Sequence, residues 1–159
     1  MNSISSLSGN IIRAAKGIPP SGKIHVNSSA ASSATSGAYT YYKFNTSGTF
    51  NYTYSGSAPV NLYTFVVGAG ASGGYERGSG GGAGGQIIQS TLSISSSGTL
   101  TADVGAGQAG FTTSKPSTAA NSSILSGTSI TTQTALGGTS GGTGNASGVG
   151  GNVSSAAGY

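Results

Sequence analysis

LYTFVVGAGASGGYERGSGGGAGG, residues 62–85, is the stretch on which the fold turns. An apolar run enters a segment in which ten of eighteen residues (68–85) are glycine, and strand-like sequence resumes at Gln86-Ile87-Ile88. The glycines therefore form an excursion within a folded domain. Gly68-x-Gly70-x-x-Gly73 after a strand-like run has the form of a dinucleotide-binding fingerprint. That chemistry needs a helix directly afterwards, so that amides and dipole face the phosphates, and an acid about twenty residues on. Gly73 is followed by Gly74, Tyr75, Glu76, Arg77 and further glycines, which cannot hold a helix. No acid falls between Glu76 and Asp103, and there is no Gly-Lys-Ser/Thr for a nucleotide hydrolase. No cofactor is expected. Collagen needs glycine at every third position, and the spacing here is irregular. A linker would not be enclosed between strands three separate times, at 68–85, 105–110 and 137–151. What remains is glycine used for packing. Extended polyproline-II-like chains approach closely when nothing projects from the backbone. Their ordering entropy is offset where such segments pack on one another or on a neighbouring subunit.

The flanking sequence reads as strands. Residues 39–45, YTYYKFN, and 49–55, TFNYTYS, are aromatic and β-branched, with a hairpin-sized connection at Thr46-Ser47-Gly48. Phe50, Tyr52 and Tyr54 fall on one face. The run 60–67, through its continuous apolar part, suggests a buried strand. Residues 86–94 and 99–104 follow, with a bulge expected between Ile87 and Leu92. Leu100, Ala102 and Val104 share a face, which leaves Asp103 on the solvated one. NSSIL (121–125) and SITTQTAL (129–136) complete a set of about seven or eight strands, and no segment has helical periodicity. The expected fold is all-β: a jelly-roll-like or β-sandwich domain over residues 37–159 with glycine-rich loops, preceded by an extended N-terminal arm and linker, residues 1–36.

Within that arm Ile11, Ile12, Arg13, Lys16, Ile18 and Lys23 are candidates for attachment to a partner. Half of the chain's six Lys/Arg residues are here, and a pure linker has no use for spaced isoleucines. Pro19-Pro20 breaks any helix, and the Ser/Ala/Thr run 27–36 reads as linker.

Charge and composition exclude several classes. Only 5% of residues are charged, so charge does not drive disorder, and an apolar content of 35% supports a thin core. The net charge of +4 is scattered, with no basic face for nucleic acid. Absence of cysteine removes disulfides and thiolate chemistry. No apolar run has the length of a membrane span, and the N-terminus lacks a signal-peptide core. Catalysis has little to work with. His25 is the single histidine, and Glu76 and Asp103 are the only acids. A triad or a carboxylate pair would need these distant residues to converge, and a metal site would need all three.

The order of motifs carries a resemblance. A strand into FVVGAGASGG, then GGGAGG, QIIQSTLSI, TLTADVGAGQAG, NSSIL and TALGGTSGGTG resembles the glycine-rich domain of bacteriophage tail fibres and related virion proteins. The match covers about two-thirds of the chain and leaves residues 1–36 without a counterpart. The resemblance implies a non-enzymatic β-structured module on the exterior of the virion, often distal and homo-oligomeric, with a trimer favoured. Residues 1–36 would then contact other virion proteins. In some members tip loops contact a host receptor, which makes Tyr75, Glu76 and Arg77 receptor-contact candidates: Tyr and Arg are common in binding hot spots. A capsid decoration protein is the alternative within the virion. An ice-binding or matrix protein is the alternative outside it, although regular Thr-x-Thr arrays are missing.

Overall fold

The computed structural model describes residues 23–28, 32–37, 39–75, 81–112, 118–128 and 130–141. These residues are all-β, with no helix among them. Nine strands follow in order: β1 (Lys23–Ser28), β2 (Ser32–Ser36), β3 (Tyr39–Lys43), β4 (Gly48–Ser55), β5 (Val60–Val67), β6 (Ile87–Ile94), β7 (Gly98–Asp103), β8 (Ser123–Gly127) and β9 (Gln133–Ala135). A five-stranded antiparallel sheet has the order β1-β4-β7-β8-β9, and two hairpin ribbons, β2-β3 and β5-β6, complete the strands.

The ribbons and the sheet share one core. Phe50 and Tyr52 of β4, Leu100 of β7 and Ile94 of β6 are its buried centre, with Tyr42, Leu62, Leu92, Leu125 and Ile130 packed around them. Tyr42 meets Phe50 edge-on at 5.0 Å between ring centroids. Period-2 patterning explains which side chains arrive there. Phe50, Tyr52 and Tyr54 face inward, as do Leu100 and Ala102, while Asp103 is exposed. Burial pushes the Tyr52 phenol above its ordinary range. The folded state therefore favours the neutral ring. That contribution is present below the ordinary tyrosine range and is lost as pH rises through the raised folded value. Alkaline unfolding followed by circular dichroism should move to higher pH in Tyr52→Phe. An unchanged midpoint would show that Tyr52 does not govern it.

Four expectations change. The ordered sheet begins at Lys23, inside the stretch expected as arm and linker. Residues 23–28 pair with β4 from Lys23↔Ser55 to Ser28↔Phe50, and 32–36 pair with β3. The reason is backbone demand: β4 and β3 would otherwise expose an edge, and Ser, Thr and Ala are small enough to serve it on a fully exposed strand. Strand β5 is half-buried rather than buried, because only alternate residues, with Thr64 the deepest, face inward. The β5-β6 register runs unbroken from Val60↔Ile94 to Val67↔Ile87, without the bulge. Finally, the described residues hold nine strands instead of seven or eight.

The register also orients the domain. Strand β7 runs toward the glycine segments, so antiparallel β4 runs away from them and ends at Ser55. Lys23, opposite Ser55, therefore brings the chain in at the end of the sheet remote from the glycine segments.

Candidate functional site

Beyond the ends of β5, β7 and β9 the chain leaves the sheet without leaving hydrogen bonding. Segment 68–72 is the hub. The amides of Gly68 and Ala71 donate to the carbonyls of Gln86 and Ala83, three residues apart on the segment 83–86. The carbonyls of Ala69 and Ser72 accept from the amides of Gly138 and Gly141, again three apart. The amide of Ala69 donates to Asn121, and the carbonyl of Gly70 accepts from Gln108. The segments 83–86 and 136–139 close the triangle through Ala83 to Thr139 and Gln86 to Leu136. A strand in a sheet bonds two neighbours in one plane, whereas this segment bonds four. The three-residue period is that of polyproline-II-type chains packed side by side. The bundle satisfies the backbone groups that a buried loop would otherwise orphan.

Glycine makes the approach possible. A Cβ on Gly68 would lie 2.0 Å from the Leu136 carbonyl oxygen, on Gly85 2.1 Å from that of Gly68, and on Gly138 2.1 Å from that of Ala83. These positions do not need glycine for its backbone freedom, since positive φ among the described glycines is confined to Gly37, Gly56 and Gly127. Alanine fits where the wall is a little wider, as at Ala69, Ala83 and Ala120, all buried. Glutamine side chains tie the segments further. Gln86 Oε1 accepts from the Leu136 amide at 3.0 Å, Gln108 Oε1 from the Ser72 amide at 3.4 Å, and Gln108 Nε2 donates to Thr118 Oγ1. Gln133 links β9 to the ribbon, accepting from Thr64 Oγ1 and donating to Ser90 Oγ, each at 3.0 Å. Glutamines at single positions have no pattern by which sequence reading could find them.

The hydrogen bonds also define a tip. Moving outward from the sheet, contacts at Gly68 and Gln86 give way to contacts at Ser72, Gln108, Thr118 and Gly141. Ser72, Gln108, Thr118 and Gly141 thus mark the remote end of the described bundle. Tyr75 stands there, 54% exposed. Its expected companions Glu76 and Arg77 lie outside the described residues, as do Ile11, Ile12, Arg13, Lys16 and Ile18. Lys23 begins β1 at the opposite end of the domain. His25 sits level with Thr53, and Asp103 about six residues further along the sheet, roughly 20 Å at strand spacing. The two do not meet.

A second feature was not foreseen. An apolar cleft of about 710 Å³ opens between β3 and β5, floored by Phe50, Leu100, Ala102 and Leu125. Its rim carries Tyr41, Tyr63 and Phe65. The continuous apolar character of residues 60–67 contained the signal: such a run means either burial on both faces or one face left for something else.

Among known proteins, the model of a glycine-rich domain family matches residues 45–159, which begins after β3 and takes in the whole bundle. Comparisons with curated proteins and with solved structures gave no match. The chain belongs to the glycine-rich domain family.

Proposed function

We propose that the protein is a non-enzymatic structural component of a bacteriophage virion, tail-fibre or spike-like, carried on the outside of the particle. Its N-terminal residues attach it to other virion proteins, and its glycine bundle presents loops to the host surface. The observation that carries this reading is the polarity of the domain. Lys23 lies at one end of the sheet, and Ser72, Gln108 and Thr118 lie at the far end of the bundle. A rod of packed backbone places a small set of loops far from an anchor, and its low charge suits a stable scaffold more than chemistry. The resemblance of the motif order to tail-fibre glycine-rich domains supports the same assignment, and membership of the glycine-rich domain family supports the domain type. Homo-oligomers, with a trimer favoured, fit a fibre tip.

The test is deletion of residues 1–22, which leaves every described strand intact. Particles should then lack the protein while the domain still folds by circular dichroism. Tyr75→Ala should do the reverse: normal incorporation, with adsorption to host cells reduced about tenfold or more, as for an aromatic anchor lost from an interface. Normal incorporation of the truncated chain would overturn the assignment. Cryo-electron microscopy of the particle separates a tail position from a capsid decoration.

A further inference from the structure

Among the described residues, the outward face of the β5-β6 ribbon is exposed. Tyr63 and Phe65 are 63% and 65% exposed, and Val67 lies beside its cross-strand partner Ile87, both exposed. Across the cleft, Tyr39 and Tyr41 on β3 are more than half exposed, with ring centroids 6.5 Å apart. Tyr41, Tyr63 and Phe65 border the same cleft, so the two sets form one surface. At roughly 150–250 Å² for an aromatic side chain, four rings more than half exposed and two aliphatics present on the order of 500 Å² of apolar area. That is the size of the largest apolar patch on a typical monomer, roughly 300–600 Å² and often functional, and more than half of the ~800 Å² per partner of a standard interface.

The strand edges point the same way. Among the described residues, strand β5 pairs only with β6 and β3 only with β2. Both borders of the cleft are built from consecutive residues, 40–45 and 62–67, so strand edges as well as faces meet it. Natural edges are guarded by lysine, proline or a bulge. Eight residues of β5 have none of these. The charges at the cleft are one of each sign, Lys43 and Asp103, both exposed. Such a surface offers a second copy opposite charges, Lys43 of one copy facing Asp103 of the other.

We propose that the aromatic surface around the β3–β5 cleft is a homo-oligomer interface, covered by a second copy of this chain. The inference rests on the exposed face and holds whether or not the protein is carried on a virion. The full chain should self-associate in sedimentation equilibrium at micromolar concentrations. Phe65→Lys should weaken that association on the order of 100-fold, as expected for a charge placed at a central aromatic. Because Phe65 is exposed, the thermal midpoint of the dissociated chain should not change. Lys43→Glu and Asp103→Lys should each weaken association about tenfold, and the double exchange should restore it. The exchange keeps the proposal testable if Phe65→Lys folds poorly. A wild-type chain that stays monomeric overturns the proposal. So does an oligomer indifferent to both sets of changes, or a monomer that instead binds oligosaccharide through Phe65.

Discussion

Gly68→Ala and Gly138→Ala should each unfold the domain on the order of 10 °C earlier than wild type, while Gly70→Ala and Gly84→Ala should leave it unchanged or slightly more stable. The four substitutions add the same methyl group, so the contrast isolates where it lands. At Gly68 it meets the Leu136 carbonyl oxygen at 2.0 Å and that of Ala135 at 2.8 Å. At Gly138 it meets the Ala83 oxygen at 2.1 Å and that of Gly84 at 2.6 Å. These are backbone atoms held by hydrogen bonds on both sides, with no rotamer to give way. One segment must leave the bundle, and the hub loses partners on several neighbours at once. Overpacking of this kind costs about 3 kcal/mol or more, and a domain of this size loses several degrees per kcal/mol. At Gly70 and Gly84 nothing lies within 4 Å of the added carbon, and neither has a positive φ. There alanine only restricts the unfolded chain, a gain of about 0.5 kcal/mol. Scanning calorimetry on the four variants decides the matter. Equal losses at all four would mean that the glycines serve backbone conformation, and the bundle as described would be wrong.

The same contrast marks the limit of what sequence could reveal. Glycine enclosed between strong strands was enough to infer close backbone packing. It was not enough to say which glycines face inward. Gly68 and Gly70 are indistinguishable as letters, and their roles follow from a three-residue period that appears only when five segments come together. Strand faces were legible where alternation was clean, as in Phe50, Tyr52 and Leu100. They were misread at residues 60–67, since an apolar run carries no phase, and the exposure of Tyr63 and Phe65 depends on how the ribbon lies over the sheet. Residues 23–36 were assigned to an arm and linker for a related reason. The Ser/Thr/Ala composition of β2 lacks side chains to advertise a strand, Ile24 and Val26 of β1 are too short a run to stand out beside Pro19-Pro20, and the pairing that orders both strands belongs to the backbone of β3 and β4. Tyr75 stands out in the sequence as the one aromatic in a glycine excursion. Gln108 was missed, because a single amide between segments has no sequence signature.

The sheet end of the molecule depends on one small core, and Leu100→Ala should expose how small. Leu100 is 2% exposed and central among Phe50, Tyr52 and Ile94. Its cross-strand neighbours are Phe50 on β4 and Gly127 on β8. Gly127 cannot move in to fill a void. It has no side chain, and its backbone already lies so close to Thr99 that a Cβ there would be 2.3 Å from the Thr99 oxygen. The cavity therefore stays open, and the loss should fall in the range of about 2–5 kcal/mol for buried leucine truncation. Against a total stability of about 5–15 kcal/mol, that removes a large fraction. The loss should also spread. Leu100 lies under the β5-β6 ribbon, and β5 leads directly into the hub segment of the glycine bundle, so a loosened ribbon releases the anchor of Gly68. Hydrogen exchange should then show protection falling at Ala69 and Ala71 as well as along β7, even though neither touches the mutated residue. A variant that weakens β7 and β4 while leaving the bundle amides protected would show that the glycine bundle folds independently of the sheet.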